Sequence, residues 1–335
     1  MSSEGGCLSF KYAVLVPLVL LAGCSDDPVK PAVCPYFAPI SSGAISPTWS
    51  PDGSKIAYGD ATDSTGNYVP GFYVVDTTGT GLTKLLGGAF VFSPEMAWSP
   101  DGTRIALIDG SAQLWTLTLA DLSMRQWSLP HGFVRYPAWS PDGRFIVYLG
   151  SRNSSQPDSA GGLHILDTAD GTQRALLHAD TVATQGGEPA WSPDGQTVAF
   201  VVNASPGSSN IFSVRIDGTQ YRRLTSFPGY VGSPQWSPDS RRIFFDMNPP
   251  PCLPSLTANH RTWRVNADGT GLQQWPVTLD DARVQFGYMF RLSPNGQRTA
   301  FIGLDSTGTA GVLTVMNLDG SGRKQLSRKF QPPVL

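Results

Sequence analysis

Short apolar runs recur along the chain in pairs. One set is "KIAY" (55–58), "RIAL" (104–107), "FIVY" (145–148), "TVAF" (197–200), "RIFF" (242–245) and "RTAF" (298–301). A second set follows each of these: "FYVVD" (72–76), "LWTLT" (114–118), "LHILD" (163–167), "IFSVR" (211–215), "TWRVN" (262–266) and "LTVMN" (313–317). The runs are short, rich in β-branched and aromatic residues, and bounded by Gly, Pro, Asp and Ser, which is the signature of strands.

The residues between the runs repeat as well. "TWSPDGSKIAY" (48–58), "AWSPDGTRIAL" (97–107), "AWSPDGRFIVY" (138–148), "AWSPDGQTVAF" (190–200), "QWSPDSRRIFF" (235–245) and "RLSPNGQRTAF" (291–301) are six copies of one unit. Their serines fall at 50, 99, 140, 192, 237 and 293, so the steps are 49, 41, 52, 45 and 56 residues. In S-P-D-G the proline presets φ for the first central position of a type I turn, and glycine takes the position that needs φ > 0. The unit is therefore a hairpin turn between two strands. A second hairpin follows around "DG" or a similar turn, as in "IFSVRIDGTQYRRLT" (211–225). Two hairpins per period make four strands, and a period near 40–50 residues with this content predicts propeller blades. Residues 36–335 are predicted to form an all-β, six-bladed β-propeller of four-stranded antiparallel blades, closed so that no long edge is left open. Trp49, Trp98, Trp139, Trp191 and Trp236 are read as anchors between blades. Asp52, Asp101, Asp142, Asp194 and Asp239 are read as turn residues that accept backbone N–H bonds, and not as a ring of ligands. Asn295 in the sixth copy suits that reading, since it makes the same turn without a charge.

W-S-P-D-G followed by an apolar strand, "DG" and a Leu-Thr ending resembles the TolB-type propeller repeat, over about 290 of the 335 residues. The resemblance implies the fold, an envelope location and a binding role. Only about 20 residues separate Cys24 from the first blade, too few for the α/β domain that precedes the propeller in that family.

The amino terminus changes the picture from fold to location. Lys11 is followed by "YAVLVPLVLLAG" and then Cys24. Twelve residues with a proline inside are too short to span a bilayer but fit a signal h-region. "LAGC" (21–24) resembles the bacterial lipoprotein signal box, which implies residues 1–23 as a signal peptide and Cys24 as the lipidation site. Two acyl chains give stable anchoring where one does not. Ser25 after the cysteine is compatible with delivery to the outer membrane, on its periplasmic or surface face. Residues 24–35 read as a Pro-rich tether. Cys34 and Cys252 remain, both expected on one face of the ring, as a candidate disulfide in a compartment that permits one.

Composition and motifs narrow the chemistry. Hydrophobic residues make up 40% and charged residues 15%, with a formal net charge of -2 and no block of Lys/Arg, which argues against nucleic acid as a partner. No G-x-S-x-G, G-x-x-x-x-G-K-[ST], H-E-x-x-H or C-x-x-C occurs, so no catalytic residue, metal ligand set or cofactor is assigned. His131, His164, His178 and His260 fall on different strands or blades and read as surface or partly buried side chains, although propeller lyases that place a histidine cluster round an axial metal leave a second reading open.

The S-P-D-G and "DG" turns share one face of the ring. The connections on the other face vary, from "DGSAQ" (109–113) to "DMNPPPCLPSLTANHR" (246–261), and variable loops on a rigid scaffold are where binding resides. The inner strands begin there. Three positions before each Trp, or before Leu292, stand Ser46, Glu95, Tyr136, Glu188, Ser233 and Met289; one position earlier stand Ile45, Pro94, Arg135, Gly187, Gly232 and Tyr288. One of these columns is expected to face the axial channel, which would gather Glu95, Arg135, Tyr136, Glu188 and Tyr288 at one solvated mouth. The sequence reads as a monomeric, lipid-anchored envelope propeller that binds a protein or glycan, rather than as an enzyme. A polysaccharide lyase or hydrolase using the channel, and a structural envelope protein, are the alternatives.

Overall fold

The computed structural model describes residues 44–62, 68–87, 95–151, 162–178, 188–205, 208–227, 229–248, 261–278, 290–304 and 311–326. They lie within the compact unit Phe37–Leu335. They form six four-stranded antiparallel sheets, and in every sheet the strand order follows the chain. The blades span 44–87, 96–126, 134–178, 190–223, 230–278 and 291–325. Their inner strands are Ala44–Trp49, Met96–Trp98, Val134–Trp139, Ala190–Trp191, Tyr230–Trp236 and Arg291–Leu292. Each meets the next in chain order, and the sixth meets the first, so the blades close into a propeller.

The turn chemistry explains why each blade starts where it does. In the first copy Ser50 Oγ donates to Asp52 Oδ1, which also accepts the Ser54 N–H at 3.0 Å; Ser50 Oγ in turn accepts the Lys55 N–H at 2.9 Å. The same three bonds recur around Asp101, Asp142, Asp194 and Asp239, and around Asn295 with its amide oxygen. Hydrogen bonds from Ser50 and Ser54 hold the Asp52 carboxyl down at about 2. Gly53 closes the turn at φ +69, and the fifth copy puts Ser240 in the same left-handed conformation at φ 58. There the hydroxyl does something glycine cannot: Ser240 Oγ accepts the Asp194 N–H of the neighbouring blade at 3.0 Å.

The core lies between the blades. Val74 and Ile105 pack at the seam of blades one and two, Trp139 with Ala106 at two–three, Val147 with Val198 at three–four, Val201 with Phe245 at four–five, and Trp49 with Ile302 and Leu313 at six–one. The repeat tryptophans latch these seams. Each indole Nε1–H reaches back to an inner-strand carbonyl of the preceding blade: Trp139 to Ala97, Trp191 to Ala138, Trp236 to Ala190, and Trp49 to Arg291, which closes the ring. Two seams depart from this. Trp98 donates to Gly102 O in its own turn. Blade six has Leu292 instead of Trp, and Gln235 bridges that seam, its amide donating to Phe290 O and accepting the Leu292 N–H.

Candidate functional site

The inner strands are not regular at the end away from the S-P-D-G turns. Pairing with the second strand slips between Ile45 and Thr48, between Arg135 and Ala138, and between Gly232 and Gln235. In each bulge a non-glycine residue takes positive φ: Ser46 at 47°, Tyr136 at 54° and Ser233 at 50°. Each precedes a proline (Pro47, Pro137, Pro234), which has no N–H to give to the ladder. Such strained positions persist only where the surroundings hold them, and they concentrate at functional sites.

The bulge in blade three falls on two of the residues expected at the axis. Arg135 and Tyr136 are consecutive, so a regular strand would send them to opposite faces. A bulge breaks that alternation, and the Arg135 side chain and the Tyr136 backbone N–H both reach Glu95 on the preceding blade. Glu95 Oε1 pairs with Arg135 Nε at 3.1 Å, and Glu95 Oε2 accepts the Tyr136 N–H. The Arg135 guanidinium also stands 5.0 Å from the centre of the Tyr136 ring. Burial, followed by the charge of Glu95, pushes the Tyr136 phenol up to about 12. Glu188 contributes to the same shift, which brings blade four to the same place.

Glu188 in turn takes an ion pair from Arg291, at 2.7 Å. Glu188 belongs to blade four and Arg291 to blade six. Their contact skips blade five, so it lies across the axis. Beneath it, on the second strand of blade five, Asp246 is buried. It stands opposite Gly232 in the strand register. Asp246 Oδ1 accepts a long bond from Thr262 Oγ1 at 3.5 Å, and Oδ2 has no hydrogen-bond partner among the described residues. Burial raises the Asp246 carboxyl well above its ordinary range, Arg291 opposes the shift, and Glu188 adds to it.

Five blades therefore contribute to one chain of charged or strained residues near the inner strands: Glu95, Arg135 and Tyr136, Glu188, Asp246, and Arg291. The Arg135 side chain is 53% exposed and that of Glu95 only 10%. The mouth residues are not a solvated rim free of structural duty, because Glu95 ties blade two to blade three and Glu188 ties blade four to blade six. Arg291 and Asp246 were not singled out in the sequence. Arg291 did leave a signal: the position just before each Trp reads Thr48, Ala97, Ala138, Ala190, Gln235 and Arg291, small in four blades and bulky and polar in two. Tyr288, Cys24, Cys34 and Cys252 lie outside the described residues.

Two histidines expected to be separate come together elsewhere. His131, on the connection into blade three, and His164 are both buried, with ring centres 4.2 Å apart and Tyr148 against both. Burial lowers the His131 imidazole below its usual value. Among the described residues no group of three or more His, Cys, Asp or Glu side chains gathers as a metal site.

The site and ring define a six-bladed propeller with a charged axial mouth. No protein-family model matches the chain. Over 93 residues it is 32% identical to the uncharacterized peptidase YuxL of Bacillus subtilis (strain 168), a match covering 28% of this chain and 14% of that protein. The chain thus aligns with about a seventh of that relative's length. Among solved structures, a protein assigned as TolB from Agrobacterium tumefaciens is 23% identical, covering 75% of this chain and 85% of that one at a TM-score of 0.57. An oligogalacturonate lyase from Vibrio parahaemolyticus is 14% identical, covering 87% and 80% at a TM-score of 0.57. The structural neighbours thus include TolB-like six-bladed propellers, and what the chain shares with them is the fold.

Proposed function

We propose that this protein is a bacterial cell-envelope binding module, held at a membrane by lipid on Cys24, whose propeller captures a protein or glycan partner at the axial mouth. The observation that carries the reading is the convergence of Arg135, Glu95, Tyr136, Glu188 and Arg291 from four blades, with the Arg135 guanidinium half exposed beside an aromatic ring. Arginine and tyrosine are the residue types that anchor interfaces, and a fixed ion-pair network orients what they hold. The lipoprotein box at 21–24 and the TolB-like fold support the envelope location.

Two experiments test it. Cys24→Ala should move the protein from the membrane to the soluble fraction, and absence of label from a fatty-acid precursor on the wild type would remove the anchor from the proposal. At the mouth, Arg135→Ala and Tyr136→Ala should reduce capture of crosslinked envelope partners; Arg135→Ala also breaks the tie to Glu95, so its fold is checked by circular dichroism and its capture is compared only where it is folded. Recovery of the same partners at the same yield by both variants contradicts the mouth as the binding surface and moves attention to Pro249–Asn259.

A second reading rests on Asp246 and Glu188. A buried carboxyl raised above its ordinary range, near one that is ion-paired, is how a fold separates a general acid from a base, and the likeness to an oligogalacturonate lyase suggests an acidic polysaccharide for it. Chain scission of such a polymer by the wild type, lost in Asp246→Asn, would favour this reading over simple binding.

A further inference from the structure

The outer strand of blade two ends at Gln126 and the inner strand of blade three begins at Val134. In the connection between them Ser128, Pro130 and Phe133 are exposed, Leu129 and Gly132 are half-buried, and His131 is buried. The connection is held to blade three by that one imidazole and by bonds to Ser151. The Gly132 N–H donates to Ser151 O at 3.4 Å, the Phe133 N–H to Ser151 Oγ at 2.8 Å, and the Ser151 N–H to Phe133 O at 2.9 Å.

The seat of His131 suits an uncharged ring. Gly150 lies directly against it, and a Cβ there would stand 2.8 Å from His131 Cγ, so glycine is what admits the imidazole. The titratable groups that face it come from the second and third strands of blade three: Tyr148, with ring centres 5.6 Å apart, and His164, at 4.2 Å. The Tyr148 hydroxyl is turned away, donating to Gln173 Oε1 at 2.9 Å, and His178 on the outer strand is exposed. Among the described residues neither ring nitrogen of His131 has a hydrogen-bond partner, so no carboxylate is in place to hold a proton there. Burial lowers the imidazole, and the Ser151 backbone opposes that to a smaller extent. A buried charge without a partner is costly. His131 belongs to a connection and not to a strand, so its ring can reach water by opening a segment with few buried contacts.

We propose that His131 is a proton-operated latch: on taking a proton at a ring nitrogen it leaves its seat against Gly150 and His164, the connection 128–133 opens, and the entry to the inner strand that carries Arg135 and Tyr136 loosens. The opened state takes the proton that the closed state refuses, so the latch is shut above the ordinary imidazole value of 6.5 and opens as pH falls below it. One proton taken up on opening raises the open population by up to about tenfold per pH unit in that range. Nothing in this depends on what the mouth binds, so the latch can fail while the binding reading stands.

Hydrogen–deuterium exchange of the full chain at about pH 7.5, 6 and 5, corrected for the intrinsic pH dependence of amide exchange, reads the latch. Protection of the Gly132, Phe133, Val134 and Ser151 amides should fall by up to about tenfold per unit below about pH 6.5, while Ile243 and Phe245 in blade five keep theirs. His131→Phe fills the same seat and takes no proton, and should make that protection independent of pH. Gly150→Ala drives a methyl group into the seat and should lower protection at every pH. His164→Phe leaves His131 to titrate and should keep the pH dependence. A further measurement needs no variant: in the wild type the His131 ring resonance should titrate below 6.5, in step with the loss of protection. Constant protection across this range in the wild type, the same loss in folded His131→Phe, abolition of the loss by His164→Phe, an equal loss in blade five, or titration of His131 at or above 6.5 with the connection still protected would each overturn the proposal.

Discussion

Replacing Trp139 by Ala tests the account of the seams. Trp139 is 7% exposed, packs with Ala106, Ile146 and Tyr148, donates its indole N–H to Ala97 O at 3.2 Å, and lies beneath the Arg104 guanidinium. Truncation to Ala removes the whole ring and leaves a cavity, for which about 3–5 kcal/mol is the usual loss. Trp139→Phe keeps most of the apolar contact but removes the indole bond to the Ala97 carbonyl and weakens the stacking with Arg104, and should cost about 1–2 kcal/mol. Asp142→Asn should cost less than about 1 kcal/mol, because Asn295 already makes the same bonds to Ser293 Oγ and the Gln297 N–H in blade six. Urea denaturation, read as the midpoint at constant slope, ranks the three. A loss in Asp142→Asn as large as in Trp139→Ala would refute the distinction between seam anchor and turn residue, and no loss in Trp139→Phe would refute the latch.

Two further outcomes concern pH. Burial raises Asp246, so the folded state keeps a proton that the unfolded chain releases; stability should fall as pH rises from the ordinary carboxylate range, near the unfolded value of 3.8, toward the higher folded value. Asp246→Asn should flatten that fall, and an identical pH slope in both proteins contradicts the assignment. Burial has the opposite consequence for His131, which is lowered from 6.5: the unfolded chain takes up a proton the folded state refuses, so stability should drop as pH falls below 6.5. His131→Phe should remove that drop, measured by denaturant midpoints between about pH 5 and 8.

The blades were legible because their instructions are local. Ser50, Asp52, Gly53 and Lys55 complete a turn among themselves, and the chain writes the same letters six times, so turn chemistry and period alone fix strand count and order. The tryptophans could be placed between blades, but for four of the five the partner of the indole N–H lies 42 to 53 residues back within the ring, or 242 away at closure, which no local pattern reveals. At the mouth, counting back from each Trp found Glu95, Arg135, Tyr136 and Glu188. It missed Asp246 because that residue sits on a second strand and arrives only through its register with Gly232. The bulge at Tyr136 is not visible in a count back from each Trp, although X-Pro three residues ahead of Trp in blades one, three and five is its signal. The meeting of His131 with His164 depends on how the connection into blade three folds back over that blade's third strand, and spacing along the chain says nothing about it.

The central claim is that the axial mouth, and not the flank of the ring, holds the partner. A photo-crosslinking residue placed at Arg135, and a second placed at the exposed Gln126 on the outer strand of blade two, measure this in intact cells. The expected result is a discrete crosslinked species from position 135 that position 126 does not form, and that fades when Tyr136→Ala is added. Equal crosslinking from both positions, or none from position 135 while the protein is folded and membrane-bound, would contradict it.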